Sequence, residues 1–291
     1  MALEPAQFFF NENVNIYLQS LGNPFLDILF KAVSNVFSEQ VYIFLATLIF
    51  WCYSKKTGIR AMYVILFSAF AAILAKNLFG MPRPSEYLHK IEENEYGFPS
   101  GHALLSSSFW GYMGYWTKDR LMVVVGALAI LSVSLSRIYL GVHYVGDIVG
   151  GIIFGLLVVL VFVKAESGII NRLEKLNRSS KYIVAVSIPV IMLIIASMQR
   201  GLMKEQVEIG LVMGGIGVGC LLENERVGFE DAKNNKQRMK RAAIGVAVLG
   251  IIYLISSLLF LVNPNFVFFK YAALGFASTY IAPWAFTRMK V

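Results

Sequence analysis

Nine stretches of this sequence are apolar and nearly free of charge, and they constrain its fold more than any other feature. They centre on residues 40–54, 61–79, 101–117, 121–138, 144–163, 182–199, 207–222, 242–262 and 267–287. A helix needs about 20 residues to cross roughly 30 Å of hydrocarbon, so runs of this kind predict transmembrane helices. Several hold only about fifteen uncharged residues, which is short for a full crossing. Composition points the same way: 57% of the 291 residues are hydrophobic and 15% charged. A soluble domain carries about 25% charged residues, and too few polar side chains remain here to coat a globule in water. The same numbers exclude a disordered chain, a collagen and a coiled coil. The expected class is an all-α polytopic membrane protein of about nine spans. Before the first run, Leu26, Leu29, Phe30, Val33 and Phe37 recur at helical spacing among Asp27, Lys31 and Glu39. That pattern predicts an amphipathic helix, interfacial or continuing the first span as a tilted extension.

Charge placement gives the orientation. The 26 Lys and Arg exceed the 18 Asp and Glu, for a formal +8. No basic stripe with interleaved aromatics appears, so a nucleic-acid partner is not expected. Membrane lipids are the expected surroundings. If the loop after the first run is cytoplasmic, the cytoplasmic segments are 54–60, 118–120, 164–181, 223–241 and 288–291. They hold 18 of the 26 basic residues, as the positive-inside rule requires. The N-terminus is then outside and the C-terminus inside, in the plasma membrane. Trp51, Trp116 and Trp284 fall near cytoplasmic span ends, where interfacial Trp is common. Residues Met1–Phe10 lack the basic region and small-residue cleavage site of a secretory leader. Cys52 and Cys220 lie within apolar runs and read as packing residues, with no Cys/His spacing for zinc.

This topology puts an unusual set of residues outside. Segments 76–102 and 136–147 hold all three histidines (His89, His102 and His143) together with Lys76, Arg83 and Arg137 at span ends. Charge there is costly unless paired or bound to an anion. Lys76 and Arg83 flank a stretch stiffened by Pro82 and Pro84, and suit a phosphate as point charge and fork. Pro99-Ser100-Gly101-His102 stands where a span begins, and a helix N-terminus offers free N–H groups to an anion. His143 and Asp147 are four apart and would share a helical face, the carboxylate holding one imidazole N–H. Arg137 is a third possible clamp. Singly, each has an ordinary reading: a structural histidine, a snorkelling arginine, a helix cap. Together they run against the charge rule, on the face that should be poor in cations. Two imidazoles, a carboxylate and a phosphate suffice for metal-free covalent phosphoryl transfer, one imidazole attacking phosphorus and the other protonating the leaving oxygen.

The three segments Lys76-x6-Arg83-Pro84, Pro99-Ser100-Gly101-His102 and Ser136-Arg137-x5-His143-x3-Asp147 resemble the signature motifs of the type 2 phosphatidic acid phosphatase family. That family shares its site with vanadium-dependent haloperoxidases and glucose-6-phosphatase. The likeness covers about 24–163, with no departure at a motif position. It implies a helical-bundle core acting without metal or other cofactor on lipid phosphates at the outer leaflet. It further implies that His143 is the nucleophile, oriented by Asp147, and that His102 is the general acid. Lys76, Arg83, Arg137, Ser100 and the Gly101 amide then bind phosphate.

The resulting division is a catalytic core at 1–165 and a C-terminal transmembrane extension of about four helices at 166–291. The extension resembles longer prokaryotic members of the family and, more loosely, sphingosine-phosphate phosphatases. Gly210, Gly214, Gly215, Gly217 and Gly219 are expected to permit close helix packing. The run 223–241 is expected to be a solvated connector, and 85–96, with Glu86, Glu92, Glu93 and Glu95, a solvated acidic loop or a lid. Asn77 and Tyr139 border the motifs and read equally as support or as packing. The leading function is a phosphatase for a lipid phosphate or diphosphate. The alternatives are a phosphotransferase with an acceptor other than water, and a non-catalytic lipid-binding or transport relative. Neither the preferred lipid nor an oligomeric state is written in the motifs.

Overall fold

The structure is a computed structural model and describes residues 9–198, 204–263 and 266–291. The leader reading covers Met1–Phe10, of which residues 1–8 lie outside the described residues. Among the described residues the regular structure is helical throughout, so the all-α expectation stands. Two compact units form: residues 1–44 with 64–164, and residues 45–63 with 165–291.

The first unit contains α1 (Asn13–Ser20), α2 (Pro24–Val36), the start of α3 (Glu39–Cys52), most of α4 (Lys55–Phe79), α5 (Gly101–Thr117), α6 (Arg120–Tyr139) and the first two-thirds of α7 (Val145–Glu174). Local chemistry sets several helix starts. The Asn23 side chain accepts the Leu26 N–H at 3.0 Å with Pro24 in the first turn, and Asp119 accepts the Leu121 N–H at 2.9 Å. Helix α5 is the buried element: Ala103, Leu104, Leu105, Ser106, Ser107, Ser108 and Phe109 are all buried. Three consecutive serines are tolerated there because each hydroxyl is satisfied. Ser106 pairs with the Tyr42 hydroxyl at 2.5 Å, Ser107 donates to the Ala103 carbonyl at 2.7 Å, and Ser108 to the Leu104 carbonyl at 2.8 Å. Helix α6 shows the two-sided pattern of a membrane helix at a protein boundary. Leu121, Val124, Leu128, Leu131 and Leu135 are exposed, whereas Gly126, Ala129, Val133 and Arg137 are buried. In water so large an apolar face would be a liability, whereas in lipid it is the solvent-facing surface.

The turn between α6 and α7 is held by α1. Asn15, fully buried, donates from Nδ2 to the Ile138 carbonyl at 2.8 Å and to the His143 carbonyl at 3.0 Å. Gln19 donates to the carbonyls of Leu88 and Tyr139, both at 2.8 Å. Gly141 sits at φ +76°, and a Cβ there would lie 2.0 Å from the Leu88 carbonyl oxygen. Only glycine satisfies both the left-handed backbone and that approach.

The second unit contains α8 (Arg178–Ser197), α9 (Lys204–Arg226), α10 (Asn235–Val262), α11 (Phe266–Phe276), a π-turn at Ala277–Ile281 and α12 (Ala282–Arg288). Helix α9 is packed through its glycines, as expected. A Cβ at Gly215 would meet the Ala272 carbonyl oxygen at 2.3 Å, and one at Gly219 the Thr279 hydroxyl at 2.1 Å. Packing this close leaves no room for a side chain. Two expectations change here. Trp51 is fully buried rather than interfacial, with its indole N–H donating to the Ser278 carbonyl at 2.7 Å. The 223–241 connector is not simply solvated: Glu223 is buried against Lys55 and accepts the Phe229 N–H at 2.9 Å. Arg241 is also buried and donates to the carbonyls of Glu230 and Trp51. Cys52 and Cys220 are buried free thiols, so the packing reading fits both.

Six of the described helices are long and apolar enough to cross a membrane (α4 and α6–α10), or seven if the bent pair α2–α3 forms one span. The other expected runs are helical but short or interrupted. Helix α5 has 17 residues, and the last run is divided by the π-turn between helices of 11 and 7 residues. Hydropathy registers apolar composition, whereas spanning needs unbroken length. The chain is an integral membrane protein with several spans.

Candidate active site

Five elements of the first unit converge on one cluster. Lys76 comes from the last turn of α4, and Arg83 from the extended Pro82–Pro84 segment after it. Ser100, Gly101 and His102 form the start of α5, Arg137 lies in the last turn of α6, and Asp147 in the first turn of α7. His143 precedes α7 by two residues, so it does not share a helical face with Asp147 as its spacing suggested. The contact forms differently. A carboxylate in a first helical turn lies at the positive end of the dipole, and Asp147 Oδ2 accepts both the Tyr144 N–H at 2.9 Å and His143 Nδ1 at 3.2 Å. On the other side of the ring, Arg83 Nη1 lies 3.2 Å from His143 Nε2. A guanidinium has only donors, so Nε2 accepts, and the imidazole proton is on Nδ1, pointing at Asp147. The ring is 1% exposed. Burial first, and then the charges of Arg83, Arg137, Lys76 and His102, push its pKa well below the ordinary histidine value. His143 therefore presents an unprotonated Nε2, engaged by Arg83.

The cations are also fixed. Arg83 donates from Nε to the Glu95 carbonyl and from Nη1 to the Val142 carbonyl, both at 2.7 Å. Arg137 is 2% exposed and donates from Nη1 to the Ser34 hydroxyl at 2.8 Å, while its Nε, also buried, has no protein partner. Ser100 is fully buried; its N–H donates to the Asp147 carbonyl at 2.9 Å and its hydroxyl has no partner. Beside Gly101 there is open space, since an added Cβ would meet nothing nearer than Lys76 Nζ at 4.0 Å. A helix N-terminus, three cations and an orphan hydroxyl are the kinds of group that could receive an anion. Among the described residues no group of three or more His, Cys, Asp or Glu is placed to hold a metal ion.

Several participants escape sequence reasoning. Ser34, on α2, receives Arg137, and the His102 imidazole hydrogen-bonds to the Ser34 backbone. The signal was present: Leu26, Phe30 and Ser34 repeat every four residues, so a hydroxyl occupies an apolar stripe. Glu93 and Glu95 are the larger surprise. Glu93 bridges Arg83 and Arg137, and Glu95 pairs with Lys76. The acidic loop is thus solvated only in part, with Glu86 and Glu92 exposed and the other two carboxylates on the clamp. Burial alone would raise the Glu93 carboxyl pKa, but the charge and hydrogen bond of Arg137, with the charge of Arg83, hold it below the usual carboxylate range. His89 pins the same loop, its Nε2 donating to the Pro84 carbonyl at 2.9 Å. Tyr139 is a support residue: its hydroxyl donates to Asp27 at 2.5 Å and its ring packs on Phe30.

The model of the PAP2 superfamily matches residues 57–170, which include every clustered motif. A second model, for the transmembrane extension of PAP2 superfamily phosphatases, matches residues 207–291. The chain belongs to the PAP2 superfamily. Among curated PAP2 relatives, it is 25% identical over 189 residues to lipid phosphate phosphatase delta of Arabidopsis thaliana, covering 58% of this chain and 45% of that protein. It is 28% identical over 140 residues to the undecaprenyl-diphosphatase of Sulfolobus acidocaldarius, covering 46% of this chain and 68% of that one. The match to the first of these thus spans less than half of the relative's length. The crystal structure of a transmembrane PAP2-type phosphatidylglycerolphosphate phosphatase from Bacillus subtilis superposes with a TM-score of 0.47 at 19% identity, covering 60% of this chain and 90% of that one.

Proposed function

We propose that this PAP2 protein is a membrane phosphatase that hydrolyses a lipid phosphate monoester or diphosphate through a phosphohistidine intermediate at the extracytoplasmic face. The observation that carries the reading is the ordered chain Arg83–His143–Asp147, with an unprotonated Nε2 at the edge of an anion site. Lys76, Arg83, Arg137, the Ser100 hydroxyl and the Gly101 N–H hold the phosphoryl oxygens and offset the charge that spreads over them. The Nε2 lone pair forms the N–P bond, the P–O bond to the lipid breaks, and His102, which takes up a proton beside the bound phosphate dianion, gives that proton to the leaving oxygen. Asp147 stabilises the positive charge on His143. In the second step His102 takes a proton from water, the resulting hydroxide attacks phosphorus, the N–P bond breaks and phosphate leaves. A water acceptor distinguishes this reading from a phosphotransferase.

Orientation rests on the basic residues, of which 18 of 26 fall on one set of loops. The chemistry is assigned to residues 1–165, with 166–291 as the extension, in the plasma membrane. A cysteine placed at exposed Glu92 is expected to react with an impermeant thiol reagent on intact cells. Reaction only after permeabilisation would invert the orientation.

The function is tested by phosphate release from a panel of phosphatidic acid, phosphatidylglycerol phosphate, long-chain base phosphates and polyprenyl diphosphates, with EDTA present. Release from at least one is expected, and loss of activity on chelation would contradict the metal-free chemistry. The low pKa of His143 sets a sign for pH dependence. The nucleophile is active when unprotonated, so kcat/KM should hold as pH falls through the ordinary histidine value of about 6.5 and decline only below it. An acid limb at or above about 6.5, beyond the one that the substrate's own second phosphate ionisation at about 6 produces, would remove His143 from the nucleophile's role.

A further inference from the structure

The anion site already holds an anion of the protein's own. Glu93 Oε2 lies 3.3 Å from Arg83 Nη2, and Oε1 hydrogen-bonds to Arg137 Nη2. Its two oxygens thus engage one N–H group of each clamp arginine, the position a phosphoryl group would take. Glu95 does the same at Lys76. The fit is incomplete. A carboxylate has two oxygens and a phosphate monoester three unesterified ones, and Arg137 Nε and the Ser100 hydroxyl remain buried without partners. The site is built for a larger, tetrahedral anion than the one that fills it.

The loop bearing these carboxylates is fastened at both ends. Lys90 N–H donates to the Leu140 carbonyl at 3.0 Å and Gly97 N–H to the Met81 carbonyl at 2.9 Å. Between those anchors, the Glu93 side chain retains 23% of its exposure, so it has a route outward, whereas the Arg137 side chain beneath it is 2% exposed. A tethered anion competes at an effective concentration of order millimolar or more. Any ligand pays for its displacement, and its apparent affinity falls by the fraction of sites left open.

We propose that Glu93 occupies the phosphoryl position as a tethered internal anion that every phosphate ligand must displace. Free phosphate and small water-soluble monoesters then bind poorly. A phosphate enters effectively only when the rest of its molecule adds binding, as the apolar chains of a lipid do. Inorganic phosphate, the product, is expelled when Glu93 returns. This inference rests on the lipid phosphatase reading for its biological sense, but its physical content is anion competition at the clamp.

The test compares the full-length protein with Glu93→Gln, both in detergent. Glutamine keeps the volume and one acceptor but removes the charge. Calorimetric titration with inorganic phosphate is expected to show at least tenfold tighter binding to the variant. KM for p-nitrophenyl phosphate and KM for phosphatidic acid should both fall by a similar factor, because the carboxylate must leave the clamp for either phosphate. Unchanged or weaker phosphate binding would overturn the proposal and leave Glu93 as a residue that merely orients the arginines. Glu95→Gln provides a second variant, expected to tighten phosphate binding in the same direction by freeing Lys76; it decides the question if Glu93→Gln does not fold. Calorimetry needs no turnover. A protein that hydrolyses no lipid phosphate yet binds phosphate more tightly as Glu93→Gln would refute the lipid reading and keep the competition. Lipid hydrolysis with unchanged phosphate binding would do the reverse.

Discussion

Replacing His143 with alanine is expected to lower kcat/KM for the best lipid phosphate by about 10⁴-fold or more, equivalent to at least ~5 kcal/mol of transition-state stabilisation. The size follows from what the ring does in the proposed chemistry. Without Nε2 the covalent path is lost entirely, and what remains is the clamp's ability to hold a phosphate near water. The structural cost is smaller. His143 is buried, and its removal leaves Asp147 Oδ2 with the Tyr144 N–H alone, a loss of about 1–3 kcal/mol. The cations do not depend on the ring: Arg83 keeps its bonds to the Glu95 and Val142 carbonyls, and Arg137 its bond to Ser34. Binding of inorganic phosphate to His143→Ala should therefore stay within about threefold of the unsubstituted protein, which separates lost chemistry from lost structure. A variant that keeps kcat/KM within tenfold would remove His143 from the mechanism.

Arg137→Ala is expected to lower both activity and stability. One preorganised donor to a developing phosphoryl charge is typically worth about 10²–10³ in rate. The stability effect comes from what the side chain leaves behind. Arg137 is almost fully buried between Ser34 and Glu93. Its loss leaves Glu93 with Arg83 alone and a cavity at the end of α6. Breaking a buried ion pair from one side costs about 3–5 kcal/mol, a value at the lower end here because Glu93 retains a second arginine and some solvent. Arg137→Lys should restore much of the stability but little of the activity, since an ammonium supplies the charge without the planar fork that reaches Ser34 and the phosphoryl oxygens together. Thermal unfolding in detergent and kcat/KM, measured on both variants, check this. Equal recovery of the two by lysine would show that only the charge matters.

The helices that were legible in the sequence are those whose signal is local. The runs at 61–79, 121–138, 144–163 and 242–262 became α4, α6, α7 and α10 because apolar length alone specifies a membrane helix. The three motif segments were legible for a different reason: cations and imidazoles at span ends are improbable without a ligand. Expectation failed where the deciding fact was a contact between distant parts of the chain. Glu93 and Glu95 look like any acidic loop residues until folding brings 93 against 83 and 137. Trp51 looks interfacial until its N–H finds the Ser278 carbonyl, 227 positions away. Asn15 is one amide in a short helix, and nothing local says that it ties the backbone on both sides of Gly141. Ser34 falls between the two cases. Its place in an apolar stripe was readable, but the identity of its partner was not.

The His143–Asp147 pair illustrates a gentler correction. Four-residue spacing correctly joined the two, but for the wrong geometry, since α7 begins only at Val145. The carboxylate reaches back over the helix start, caps the Tyr144 N–H and holds Nδ1 with the same oxygen. That arrangement fixes the tautomer, which a shared helical face alone would not have done.

The proposed chemistry passes through a covalent phosphohistidine at His143. Its most direct measurement is a rapid acid-free quench of the protein with lipid substrate carrying ³²P in the phosphate, followed by peptide mapping. Label is expected on the peptide containing His143, stable to base, lost in acid and absent from His143→Ala. Turnover with no label on His143 under conditions that trap a phosphohistidine, or label that persists in His143→Ala, would contradict it.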